Sequence, residues 1–147
     1  MTFPHKVFLD SDVVISALLS DHGASGWLIR DANIQKWVSN LSQKEIKMVA
    51  KRLSITDEKS RLTLKLPSVV ALNNDLDKIK EKFGSYVDDS NDAHVVAGAV
   101  AAGAGYLATY NLRHFRVDKI RSDFGVVVMT PGLFLQYLRS IAVAAKS

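Results

Sequence analysis

The sequence predicts an α/β fold, a three-layer α/β/α sandwich about a central, mainly parallel sheet. Three observations predict it. Apolar runs of strand length recur along the chain, at Val7–Leu9, in "IQKWVSN", at Tyr106–Thr109 and in "GVVVMT". Segments with apolar residues at helical spacing separate them, and strands that alternate with helices pair in parallel with helices on both faces. The length of 147 residues, without repeat, linker or low-complexity tail, suits a single domain over residues 1–147.

Val7–Leu9 reads as a short buried strand and Asp12–Leu19 as the helix after it. Gly23 and Gly26 frame a break, with "ASGWLIRDA" as a second short helix. "IQKWVSN" alternates like a strand, whereas "LSQKEIKMVAKRL" has helical spacing at Leu41, Ile46, Val49 and Leu53. Between Thr56 and Phe83 the pattern predicts two helices, broken at Pro67 with Ser68 capping the second. After Gly84 follow an acidic loop, an Ala/Gly-rich helix stopped by Gly103 or Gly105, and the strand at Tyr106–Thr109. "GVVVMT" is a further strand, and "TPGLFLQYL" opens the last helix with Thr130 as cap and Pro131 at the first position. Trp27, Trp37 and the phenylalanines are assigned to the core.

Composition narrows the function classes. There is no cysteine, which removes disulfides and thiolate metal sites and fits a reducing compartment. The opening "MTFPHKVF" lacks the apolar core of a signal peptide, and no run approaches the ~18 apolar residues of a membrane span. A cytoplasmic protein without a membrane partner is expected. The net charge of +4 permits a polyanionic partner without requiring one.

The carboxylates carry the functional signal. Open parallel sheets bind ligands beyond the carboxyl ends of their strands. Asp10, Ser39-Asn40 and Tyr110-Asn111 fall at such ends, and Asp12, Glu45, Asp88, Asp89 and Asp92 fall near helix starts. Carboxylates crowded into one cleft repel one another unless a cation sits among them. Mg²⁺ or Mn²⁺, which prefer oxygen ligands, would serve, and such ions activate water and neutralise phosphodiester charge. Each acid has a plainer reading too. Asp12 can cap the first helix, "SQKE" (Ser42 to Glu45) fits a capping box, and Asp89 or Ser90 can cap the Ala-rich helix with Asp92 in its first turn. Asp10, which ends an apolar strand, is harder to explain as a cap alone.

These residues carry a family resemblance. "VFLDSDVVISALL" resembles the opening of PIN-domain nucleases, an apolar strand, Asp, a small residue, Asn, then an apolar helix. "WVSNLSQKEI" resembles their second motif, a strand, a hydroxyl residue and a helix-borne Glu. "DSNDAHVVAGAVAAGAGYLATYNLRHF" resembles their most diagnostic block, which ends in Thr-x-Asp/Asn and a Phe. The matches span Val7 to Phe115 in the family's order.

The resemblance implies an Mg²⁺- or Mn²⁺-dependent endoribonuclease with Asp10, Glu45 and Asp92 as core acids, Asp89 as an auxiliary acid and Asn111 in the place of a fourth acid. It implies Thr109 as a hydroxyl near the metal, unless that hydroxyl simply hydrogen-bonds within the strand end. Among PIN domains a chain this small most resembles the VapC-type toxins of prokaryotic toxin–antitoxin pairs, or related predicted toxins with "TxNLxxF" endings. An RNA substrate, an antitoxin and a homodimer are therefore the expected partners. Arg113, His114 and Arg116 would hold the RNA backbone, or form only a solvated basic loop. His114 reads as a surface polar residue rather than a ligand, and His94 as packed or hydrogen-bonded.

Two departures stand out: Asp12 occupies a position where the family usually has Asn, and Asn111 one where Asp is common. Two rivals follow. A haloacid-dehalogenase-type phosphatase would use Asp10 as nucleophile and Asp12 as acid, but it gives Glu45 and "TYNLRHF" no role. A catalytically inactive PIN fold would bind RNA or protein without cutting. The apolar residues at Leu18-Leu19 and in "GWLI" read as core, or as a dimer or antitoxin surface.

Overall fold

A computed structural model describes residues 5–73 and 75–146. The opening residues 1–4, read above as too polar for a signal peptide, lie outside the described part. Strands β1 (Lys6–Leu9), β2 (Gln35–Ser39), β3 (Ser68–Val70), β4 (Tyr106–Ala108) and β5 (Val127–Met129) form one five-stranded sheet in the order β3-β2-β1-β4-β5. Every pairing is parallel. The helices are α1 (Ser11–Leu19), α2 (Ala24–Arg30), α3 (Asn40–Arg52), α4 (Asp57–Leu64), α5 (Leu76–Phe83), α6 (Ala93–Ala101), α7 (Val117–Phe124) and α8 (Pro131–Lys146).

Strand periodicity sorts the core into two layers. Val7 and Leu9 of β1 and Val38 of β2 pack with Val13, Val14, Leu28, Ile46 and Phe134, under α1, α2, α3 and α8. Phe8 of the same strand points the other way, with Leu107 and Val128, into Phe83, Val96 and Ile120 of α5, α6 and α7. Both faces of the sheet are thus covered, as the expected sandwich requires. α6 lies unusually close to β1, because a Cβ on Gly98 would clash with the Phe8 ring. The strand order reverses direction at β1: the chain steps outward through β2 and β3, then returns to add β4 and β5 on the other side. That switch point is where such sheets open a crevice.

Several expectations need correction. Ser68 caps no helix; it begins edge strand β3, with Trp37↔Ser68 and Ser39↔Val70 in register. Pro67 stops the preceding turn, and the β-branched Val69-Val70 pair favours an extended edge. Helix α7 was not anticipated. It buries Ile120 and ends at Gly125, whose φ of +70° is the left-handed stop that glycine supplies. Trp27 is no core residue: it is 64% exposed and borders a surface hollow with Leu135 and Leu138 of α8. Trp37 is partly buried and carries the Lys6 ammonium 4.6 Å from its ring centre. Thr130 does cap α8, accepting from the Leu133 N–H at 3.2 Å. Among the described residues no helix is long and apolar enough to cross a membrane.

Candidate active site

The chain leaves β1 at Asp10, whose backbone N–H still bonds Ala108 O of β4 at 3.0 Å. This holds the Asp10 carboxylate at the switch point, 9% exposed. Its Oδ1 accepts from Ser11 N at 2.8 Å, which makes Asp10, not Asp12, the cap of α1. Its Oδ2 accepts from Thr109 Oγ1 at 2.8 Å. Thr109 is fully buried, and its Oγ1 also accepts from Asn111 N at 3.1 Å.

Asp12, freed from capping, turns toward the segment after β4. Its Oδ2 accepts from Tyr110 N at 3.0 Å and from Asn111 Nδ2 at 3.1 Å. Tyr110 is anchored in turn by a 2.5 Å hydroxyl–hydroxyl bond to Ser25 of α2.

Glu45 also differs from its plain reading. The cap of α3 is Ser39, which accepts from Ser42 N at 3.0 Å. The helix therefore starts one turn earlier than "SQKE" suggests, and no capping box forms on Ser42. Glu45 instead reaches across to α1, where Oε1 accepts from Ser11 Oγ at 2.9 Å. Its Oε2 lies 3.7 Å from His94 Nε2 of α6.

Asp89 caps the short 3₁₀ turn Ser90–Asp92 by accepting from Asn91 N at 3.0 Å. Asp92 stands at the start of α6 without making a side-chain cap bond. Its Oδ2 is 3.8 Å from His114 Nδ1, so this exposed histidine does reach the acidic cluster.

Asp10, Asp12, Glu45, Asp89, Asp92 and Asn111 line one cleft of about 360 Å³, with Ser11 and His114 at its wall. Asp88 is exposed and stays outside it. Arg113 lines an adjoining hollow with Tyr110 and Asn111, whereas Arg116, exposed at the start of α7, lines neither. A more apolar cleft of about 580 Å³ lies between α3 and α4 and holds none of these carboxylates. Chemistry rather than size therefore points to the smaller one.

The cleft crowds like charges together. Burial first, and the neighbouring Asp12 second, push the Asp10 carboxyl up to about 7, against the hydrogen bonds from Thr109 and Ser11 that favour its ionised form. Burial raises Asp12, and burial followed by Asp89 raises Asp92. His94 is shifted the other way by its burial, toward the neutral form. Asp12 Oδ1 and His94 Nδ1 are both buried without a hydrogen-bond partner.

Among the described residues no group of three or more His, Asp or Glu side chains is by itself arranged to hold a metal ion. A Mg²⁺-type ion nevertheless fits the donor set, since such ions bind through one or two carboxylates and keep several waters. Raised carboxyls and an orphaned buried oxygen are what such an ion would relieve. Ser11 is the contributor that the sequence did not single out, and His94, read as packed or hydrogen-bonded, is mostly buried with its Nε2 3.7 Å from Glu45 Oε2.

The model of the PIN domain matches residues 6–113. The chain belongs to the PIN-domain family. No curated protein matches the sequence, but solved structures do. A toxin–antitoxin complex from Klebsiella pneumoniae contains a chain that superposes with a TM-score of 0.64 at 17% identity, over 85% of this chain and 97% of that one. FitAB bound to the IR36 DNA fragment gives 0.58 at 19%, over 85% and 94%. VapBC2 from Rickettsia felis, bound to a fragment of its promoter, gives 0.56 at 14%, over 85% and 98%. At these identities the likeness is one of fold. In this PIN domain the matched region contains all the cleft's carboxylates and ends just before His114. Family membership also sets aside the dehalogenase-type phosphatase, consistent with Glu45 standing in the cleft.

Proposed function

We propose that this PIN domain is an Mg²⁺- or Mn²⁺-dependent endoribonuclease and the toxin of a prokaryotic toxin–antitoxin pair. One observation carries the proposal: Asp10, Glu45 and Asp92, drawn from three separate parts of the chain, meet in one cleft at the switch point of the sheet. When bound there, a divalent ion would supply an activated water and positive charge against the phosphodiester.

The chain's own residues do the rest. Asp10 and Asp92 would hold the ion, directly or through water, and Asp89 would add negative charge beside Asp92. Thr109 donates to Asp10 and favours its ionised form. Glu45, steadied by Ser11, would ligate the ion or orient the attacking water for in-line displacement, a reaction that leaves 5′-phosphate and 3′-hydroxyl ends. Arg113 and His114 beside the cleft, and Arg116 further along, contact the RNA backbone.

The toxin–antitoxin assemblies among the structural neighbours support an antitoxin partner, and the family resemblance adds a homodimer to the proposal. Leu19 and Trp27, 59% and 64% exposed, offer apolar surface that a partner would bury.

The test is cleavage of a structured RNA by wild type and Asp10→Asn with Mg²⁺, with Mn²⁺ and with EDTA. Metal-dependent cutting that disappears in the variant is the expected result. Cutting that persists in Asp10→Asn would overturn the assignment, and RNA binding without cutting under any condition would leave a binding module.

A further inference from the structure

Asp12 differs from the other carboxylates of the cleft in what its two oxygens meet. Oδ2 is fully engaged, accepting from Tyr110 N and from Asn111 Nδ2. Oδ1 is, among the described residues, the one buried side-chain oxygen with no hydrogen bond of good geometry, although the Val13 N–H and the Thr109 hydroxyl lie close enough to favour the charged form of the side chain. A buried anionic oxygen in that state demands a donor or a cation. No Lys or Arg lines the cleft to provide one.

Asn111 explains how the side chain is held. Facing a carboxylate, which only accepts, its amide must present the NH₂ group. The contact spans 3.1 Å across the gap between the α1 and β4 segments. Asn111 thus contributes no charge of its own but fixes the direction of one.

We propose that Asp12 is a further metal-site carboxylate of this chain, with Asn111 its positioning residue. The inference rests on the metal-dependent reading above and extends it: the negative charge on the β4 side of the cleft comes from Asp12, across the hydrogen bond from Asn111. Asn111 then acts on the ion through Asp12 rather than as a ligand.

The carboxylate and the amide can be exchanged, which supplies the test. Mn²⁺ binding to the full chain, read from the free-ion electron paramagnetic resonance signal, is compared for wild type, Asp10→Asn, Asp12→Asn and the double exchange Asp12→Asn/Asn111→Asp. Melting temperatures are followed alongside. Asp12→Asn keeps an acceptor for Tyr110 N, so the fold is expected to hold, while Mn²⁺ binding weakens by about tenfold or more. The double exchange returns a carboxylate to the same hydrogen-bonded pair and is expected to recover affinity to within about threefold of wild type. Wild-type affinity in Asp12→Asn, or a double exchange as weak as Asp12→Asn, overturns the inference. In either case binding lost in Asp10→Asn leaves the metal-dependent reading standing. A wild type that binds no Mn²⁺ overturns both.

Discussion

Thr109 Oγ1 donates a 2.8 Å hydrogen bond to Oδ2 of Asp10 and ties the ends of β1 and β4 together at a fully buried position. Replacing the hydroxyl with a methyl of similar shape tests what the bond does. Thr109→Val leaves a buried carboxylate oxygen short of a donor, so it is expected to lose about 1–3 kcal/mol of stability in a denaturant melt. Thr109→Ser keeps the donor and should stay near wild type in both stability and cleavage. Equal losses in the two variants would assign the effect to packing of the methyl group.

The Asp10 carboxyl gives the metal-free chain a pH signature. Its pKa rises from 3.8 unfolded to about 7 folded, so the folded state binds the proton more tightly. The stabilisation is complete below the unfolded value and is lost as pH climbs toward about 7. Some three pH units at about 1.4 kcal/mol each put the loss on the order of 4 kcal/mol. Melting temperature in EDTA should therefore fall from about pH 5 to about pH 8. Asp10→Asn should flatten that fall and melt higher than wild type at the alkaline end. A wild-type profile that rises over this range would contradict the burial argument.

Ser11 holds Glu45 by a 2.9 Å hydrogen bond. A bond to a charged group contributes about 1.5–3 kcal/mol, so Ser11→Ala is expected to slow cleavage by roughly 10- to 100-fold. The loss should fall on kcat with KM nearly unchanged, because in the proposed reading the serine orients Glu45 rather than the RNA. A change confined to KM would assign Ser11 to substrate binding.

Gly98 brings α6 against β1, and a Cβ there would collide with Phe8. Overpacking a filled core costs about 1–3 kcal/mol, which outweighs the helix propensity that alanine would gain. Gly98→Ala should lower the melting temperature, and Gly98→Ala/Phe8→Leu should recover part of it. Stabilisation by the single substitution would show that the ring moves aside freely.

Arg113 and Arg116 are exposed, and each is expected to contact RNA phosphate. Arg113→Ala and Arg116→Ala should each weaken binding at low salt and reduce the slope of log affinity against log salt by roughly one, as counterion release requires. Arg113, beside the cleft, should also impair cleavage, whereas the effect of Arg116 should be confined to affinity. Unchanged slopes would return both to a solvated loop.

Much of this site was legible because its residues interrupt strong patterns. Asp10 ends an unbroken apolar strand, Asp92 stands before an Ala-rich helix, and Asn111 follows a strand by three residues. What was misread depended on where the backbone turns. "SQKE" has the composition of a capping box, but Ser39 caps α3 because the chain leaves β2 there, and this frees Glu45 for Ser11. Asp12 resembled a cap for the same reason, until Asp10 took that role one step earlier. Strand β3 is a three-residue edge strand with Ser68 and Val69 exposed, so it lacks the buried apolar run that marks the equally short β4. Trp27 was misjudged because its exposure depends on how far α8 extends over α2, a tertiary fact that local composition does not contain.

The strand order has a consequence for the ribosome. β1 is made first but occupies the middle of the sheet, and its β4 flank is filled only when residues 106–108 arrive. Thr109 and Asn111, which fix Asp10 and Asp12, emerge later still. A nascent chain that already carries Asp10 and Asp12 therefore lacks the clamp that orders them. The cleft is completed only when the segment from Tyr106 to Asn111 has left the exit tunnel, long after Asp10 and Glu45 have done so.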